Sequence, residues 1–364
     1  MKTFLTSRPF LNWIIVIVAS LALEVPLISA DAQAAGRGKP PPSTDPPPTT
    51  PPARFWHAFT GNGSNNVGAS RLFLIGGNGD DTADYEMYAD FWYYAVDSHQ
   101  WVLAPTGRSK PSGRNHAGLS CGAGECVTSN GVRGSPLKET WVYSERAGAW
   151  SQINCRKQLC PSARQNVAMA YDQDRFYHLL FGGQGGTNGP ENMSDTWSFA
   201  GGTWTREQPV SSPPPRWWAA MTYVGPPVGG IVLFGGLQGY VDLLDDMWVW
   251  DGIDWQPVVF SGDLSPPSLY GHSVAWDGDR LLVTGGYVDP TNCDTPNKTV
   301  WSFTFDGARS GKWSKEPDTT GCYASVKPGA VMAYDRSQKL KVFFGGGENG
   351  PNGVIVYDET VICE

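Results

Sequence analysis

The chain has 364 residues, 27 of them basic and 35 acidic, for a net charge of −8. That balance argues against broad nucleic-acid binding and against attraction to an anionic membrane surface. Sixteen Trp and 44 Gly suit short strands with tight turns, and helical apolar periodicity is nearly absent, so an all-β chain is expected.

Residues 1–35 read as a secretory signal. Lys2 and Arg8 form a basic start, Leu11 to Ala22 an apolar core stopped by Glu24, and Ala32-Gln-Ala34 a small-x-small cleavage site. An uncleaved N-terminal anchor is the alternative. A membrane span needs about 20 apolar residues, however, and Glu24 interrupts this run. A secreted, extracellular or periplasmic location is therefore expected. Residues 36–53 are rich in Pro, Thr and Ser and are expected to form an extended tether.

Residues 54–364 are organised by a repeat. Glycine pairs fall at Gly76-Gly77, Gly182-Gly183, Gly235-Gly236, Gly285-Gly286 and Gly345-Gly346, with a degenerate copy at Asn130-Gly131. The intervals are 54, 52, 53, 50 and 60 residues. A period near 50 marks an array of similar units rather than one compact core. Aromatic two-steps follow: Trp92 and Tyr94, Trp141 and Tyr143, Trp197 and Phe199, Trp248 and Trp250, Trp301 and Phe303. A lone Trp comes next, at Trp101, Trp150, Trp204, Trp255 and Trp313. Upstream of each pair stands a basic residue, Arg54, Arg114, Arg164, Arg216 or Lys327, with Leu269 in the fifth copy.

The alternation of aromatics is period two, which places them on one sheet face. The glycine pair ends a strand where a Cβ would hinder a close approach or a positive φ. In the last copy, Val354-Ile-Val356-Tyr357 reads as a strand, and Thr360-Val-Ile-Cys363 is expected to complete the sixth unit as its outermost strand.

This pattern resembles the kelch repeat family, in particular its secreted bacterial type, within the galactose oxidase central-domain-like group. The resemblance covers residues 54–364. It implies a six-bladed kelch β-propeller with four-stranded antiparallel blades. It also implies a ligand face at the channel mouth, made by the loops that enter each innermost strand and the loops after each glycine pair. The entering residues differ from copy to copy: Phe55-Trp56, Asn115-His116, Gln165-Asn166, Trp217-Trp218 and Tyr270-Gly271. Repeats hold structural positions alike and let functional ones vary. The expected ligand-binding residues are Arg54, Trp56, Arg114, Asn115, His116, Arg164, Gln165, Arg216, Trp217, Tyr270 and Lys327. Aromatic faces with directional donors suit a glycan or a protein ligand. The alternative for the arginines is pairing with loop acids such as Asp80, Asp242 or Glu348. His57 and His272, in the repeat's own His position, read as structural.

A binding protein, acting as a monomer, is the favoured reading. The second is a carbohydrate-active enzyme, a sugar mutarotase, epimerase or lyase, since periplasmic sialic-acid mutarotases are kelch propellers too. No catalytic residue is assigned and no cofactor is expected. The chain has no H-x-x-x-H, C-x-x-C or P-loop motif.

Seven Cys in an exported chain suggest disulfides. Spacing and loop face pair Cys121 with Cys126, Cys155 with Cys160 and Cys293 with Cys322, leaving Cys363 over. One loop offers oxygens at alternate positions, Asn78, Asp80, Thr82, Asp84 and Glu86. It is a weak calcium candidate beside the simpler reading of a solvated acidic loop.

Overall fold

Strands form where β-prone aromatic and branched residues alternate, and the glycine-rich stretches between them turn the chain. A computed structural model describes residues 48–61, 70–79, 87–185, 191–291, 295–327, 329–350 and 353–363. Its compact unit runs from Pro48 to Glu364. The signal-like segment and most of the tether lie outside the described residues. No helix among the described residues is long and apolar enough to cross a membrane.

The architecture is all-β. Blade 1 is built from Ala58–Gly61, Arg71–Ile75, Phe91–Ala95 and Gln100–Leu103, hydrogen-bonded in that order. Blades 2, 3 and 4 repeat this antiparallel meander. In blade 4 the register sets Leu233 opposite Trp248 and Ile231 opposite Trp250. Blade 5 gains a fifth strand, Val259–Ser261, which arrives from blade 4 and runs parallel to Ser310–Lys315.

The innermost strands touch one another in cyclic order, and Val331–Asp335 of blade 6 returns to Ala58–Gly61 of blade 1. The ring therefore closes with six blades. Its core lies in the seams. One cluster joins Trp92, Tyr94 and Trp101 of blade 1 to Leu340, Val342 and Phe344 of blade 6. Comparable clusters fill the other five seams. The lone Trp of each outer strand reaches the preceding blade. The indoles of Trp101, Trp204 and Trp255 donate to the hydroxyls of Thr360, Thr140 and Thr196. Phe91 and Met247 take the Thr place opposite Trp150 and Trp313, whose indole nitrogens have no hydrogen-bond partner among the described residues.

Blade 6 departs from the expectation. Its described strands are Val331–Asp335, Leu340–Phe344 and Thr360–Cys363. The last pairs directly with Leu340–Phe344, so it is the third strand and not the outermost. Glu359-Thr360-Val361 occupies the place that Asp246-Met247-Trp248 holds in blade 4. Gly353–Val356 instead forms a hairpin with Gly347–Gly350, placed like the hairpins after other glycine pairs.

Cys121 bonds Cys126 across the first hairpin of blade 2, and Cys155 bonds Cys160 in the loop leaving that blade. The third pairing differs from the expected Cys293–Cys322: Cys322 bonds Cys363. The cause is the place of the C-terminal strand, which as third strand of blade 6 runs beside the loop arriving from blade 5. Cys293 lies outside the described residues. Tyr323, in a short 3₁₀ turn next to that bond, packs with Phe343 in the seam between blades 5 and 6. The loop thus takes over part of the packing that a fourth strand supplies elsewhere.

Candidate functional site

The glycine pairs bind one blade to the next at the channel mouth. Gly182 and Gly183 have φ of +65° and +98°. A Cβ on Gly182 would stand 2.5 Å from the carbonyl oxygen of Arg216 in the next blade. The N–H of Gly183 donates to that same carbonyl at 2.9 Å. Blade 6 is joined to blade 1 in the same way, by Gly346 N–H to the Arg54 carbonyl at 3.1 Å. Only glycine permits both the backbone conformation and the approach.

The arginines are engaged in the same junction. Arg54 donates to the Gly76 carbonyl at 2.9 Å and to the two Asp90 oxygens at 2.8 and 2.7 Å. The Trp92 indole donates to the same carboxylate at 2.6 Å. This triad recurs as Arg114, Glu139 and Trp141. It recurs again as Arg164, Asp195 and Trp197, and as Arg216, Asp246 and Trp248. All four arginines are fully buried or nearly so. Burial works to raise the four carboxyl groups, but the paired guanidinium and the indole hold them below their ordinary range.

Blade 5 loses both charges together. Leu269 replaces the Arg, Thr299 replaces the acid, and Asn297 donates to the Gly285 carbonyl at 3.1 Å in the guanidinium's place. In blade 6 the pair is Lys327 with Glu359, at 3.3 Å.

Two residues beyond the basic position the backbone turns left-handed in every blade. Trp56, His116, Asn166 and Trp218 have φ of 56°, 53°, 53° and 55°, and Gly271 and Gly329 have 63° and 68°. Bulky side chains enter this region only when the surroundings impose it. Blade-to-blade hydrogen bonds impose it here. His116 N–H donates to the Trp56 carbonyl at 3.1 Å, Asn166 to His116 at 2.9 Å, Trp218 to Asn166 at 3.1 Å and Gly271 to Trp218 at 3.0 Å. The rings of Trp56, His116 and Trp218 consequently meet at the mouth.

The residue before each of these pairs with the residue after the glycines: Phe55 with Asn78, Asn115 with Val132, Gln165 with Gln184, Trp217 with Leu237 and Tyr270 with Tyr287. Two walls result. One is aromatic: Trp217 stacks on Trp218 and Trp218 on Tyr270, with ring planes 23° and 11° apart. The other is made of amides: Asn115 donates to Asn78 at 2.9 Å and Gln165 to Gln184 at 3.3 Å. Asn115 Oδ1, Asn166 Nδ2 and Gln184 Nε2 are buried with no hydrogen-bond partner among the described residues. Burial pushes the His116 imidazole down to about 4, with Gln165 opposing, so this ring is neutral at pH 7.

The family model described as the KLHDC2/KLHL20/DRC7 Kelch-repeats domain matches residues 39–228, just over half of the chain. The chain belongs to this kelch-repeat family. It is similar to Kelch domain-containing protein 10 of Xenopus tropicalis, 27% identical over 223 residues, which is 59% of this chain and 51% of that protein. It is similar to an F-box/kelch-repeat protein of Arabidopsis thaliana, 29% identical over 177 residues, 42% of this chain and 36% of the relative. Adagio-like protein 3 of Oryza sativa subsp. japonica is 32% identical over 149 residues, 38% of this chain and 22% of the relative. The kelch chain spans about half the length of these curated relatives, or less.

In this kelch propeller the expected site residues divide into two groups. Arg54, Arg114, Arg164 and Arg216 are closed off in the triads and buried away from any ligand. Their partners are the acids two residues before Trp, in place of the loop acids expected as the alternative. Lys327 is paired with Glu359. Trp56 and His116 stand at the left-handed turns and Asn115, Gln165, Trp217 and Tyr270 one residue before them, with Asn115, Trp217 and Tyr270 buried there. The expected set leaves out Asn166, Trp218, Gln184 and Tyr287. Their signal is positional: each stands two residues after the basic residue or one after the glycine pair. Of the calcium candidates, Asn78 is buried and its side-chain oxygen accepts from Asn115. Asp80, Thr82, Asp84 and Glu86 lie outside the described residues. His57 and His272 lie edge-on against Phe344 and Phe234 of the preceding blades. Burial holds them neutral, at about 3 and about 4.

Proposed function

We propose that this chain is an exported kelch protein that binds an uncharged segment of a partner protein at the channel mouth. One observation carries the reading. The six left-handed positions present Trp, His, Asn, Trp and two glycines, while the basic residues beside them are engaged in ion pairs. Amides suit peptide groups and aromatic rings suit apolar side chains; the Trp56 ring is exposed, while Asn115, Asn166 and Gln184 are buried and must shift to meet a ligand. The three disulfides support an oxidising compartment, in keeping with the signal-like residues 1–35.

A glycan is the less favoured ligand. Sugars stack on free ring faces, and the faces of Trp217, Trp218 and Tyr270 are turned toward one another. Catalysis at the mouth is less favoured too. The acids of the triads recur at one place in four blades, each bound by Arg and Trp, which is a structural pattern.

The test is selection of displayed random peptides on the purified propeller. Enriched peptides are expected to be low in charge and to lose binding to Trp56→Ala, a substitution at an exposed ring, with folding of the variant checked by thermal melting. Enrichment indifferent to Trp56, or strong glycan-array signals without peptide enrichment, would overturn the reading.

A further inference from the structure

The six ring positions differ in what they place over the channel. Trp56 and His116 lie 4.5 Å apart by ring centroid, and His116 and Trp218 lie 5.7 Å apart. His116 belongs to blade 2 and Trp218 to blade 4, so the second contact passes over Asn166 of blade 3. Asn166 has the same left-handed backbone as its neighbours, and its amide Nδ2 is buried without a hydrogen-bond partner among the described residues. The mouth over blades 1 to 4 is therefore occupied by the ring's own side chains.

Blades 5 and 6 contribute glycine at this position, and the two glycines differ. A Cβ built on Gly329 would stand 3.2 Å from the Tyr287 hydroxyl, so that place is already taken. Gly271 is exposed, and a Cβ built on it would meet nothing within 4 Å among the described residues. The wall adjoining Gly271 is aromatic. Tyr270 stacks on Trp218 at 5.0 Å, and Tyr287 lies 5.6 Å from Tyr270. The Tyr270 hydroxyl donates to the backbone carbonyl of Asp289, while the Asp289 carboxylate caps Thr291. The basic residue of blade 6, Lys327, is paired with Glu359. We propose that the gap beside Gly271 is an anchor slot that takes one neutral aromatic or aliphatic side chain of the bound protein. This rests on the mouth being the binding face. A single buried aromatic commonly supplies much of the binding energy at an interface, and a slot walled by uncharged rings disfavours a charged one.

The slot can be filled without a new backbone conformation. The φ of Gly271 is +63°, and the same position carries Trp at φ of 56° and 55° in blades 1 and 4. Gly271→Trp therefore supplies a plug, and Gly271→Asn a smaller one with a residue that enters this region readily. The probes are N-acetyl-phenylalaninamide, which is neutral, and N-acetyl-phenylalanine, which carries a carboxylate on the same ring system. Binding to the full chain is followed by saturation-transfer NMR, and folding by thermal melting. The neutral probe is expected to bind wild type saturably, the anionic probe more weakly, and neither to bind Gly271→Trp. If Gly271→Trp fails to fold, Gly271→Asn is expected to weaken the neutral probe. Unchanged neutral-probe binding in the folded variant, or no saturable binding to wild type, overturns the slot. Peptides that need Trp56 but ignore Gly271→Trp would sink the slot and keep the mouth reading. Probe binding at the slot without any enriched peptide would do the reverse.

Discussion

Each blade is fastened at the level of three side chains. An acid accepts from a buried arginine and from a tryptophan two residues on, so the recurrent acid–x–Trp spacing is a hydrogen-bonding unit as well as a packing one. The pairing also explains the fifth blade, where Arg and acid are replaced together by Leu269 and Thr299. Removing one partner alone leaves a charge stranded. Arg164→Leu is predicted to cost about 3 kcal/mol, because Asp195 would keep its burial and lose its counter-charge. Adding Asp195→Thr, which copies blade 5, is predicted to recover a large part of that loss. Chemical denaturation of the single and double variants measures both, and a double variant no more stable than the single one contradicts the coupling. The arginine series and the repeated acids are both legible in the sequence. Their pairing is not, because the two groups stand about 30 residues apart and meet only when the third strand starts from the mouth, across the second strand from the innermost one.

At the scale of the element, blade 6 shows where pattern reading fails. Val354-Ile-Val356-Tyr357 has the alternation of a blade strand, and Gly353–Val356 is indeed a strand, but it belongs to a mouth hairpin. Period two identifies a strand and says nothing of its sheet. The better guide is Glu359-Thr360-Val361, which aligns with Asp-x-Trp although Val stands in for Trp. The seam beneath it is completed by Tyr323 and tied by the Cys322–Cys363 bond. Cys322→Ser with Cys363→Ser is predicted to lower the melting temperature by several degrees, since a disulfide of this kind contributes about 2–4 kcal/mol. Cys121→Ser with Cys126→Ser, within one tight hairpin, is predicted to matter less, because its loop is short. Equal melting temperatures for the wild type and the Cys322/Cys363 variant would mean that packing alone holds that seam.

For the whole molecule, six seams carry the stability, and the ring of left-handed residues carries the proposed binding face. The propeller is readable from its period, because every copy must satisfy the same neighbours. The mouth is readable only in outline. Variation among copies marks which positions to inspect, but side-chain burial decides which of them remain available, and burial is a property of the closed ring. The most direct test of that face is hydrogen–deuterium exchange on the intact chain, with and without an enriched peptide. Protection is predicted at residues 54–57, 114–117, 164–167, 216–219 and 269–272, where the chain enters the innermost strands of blades 1 to 5. Protection confined to the opposite turns, at residues 173–176 and 251–254, would contradict it.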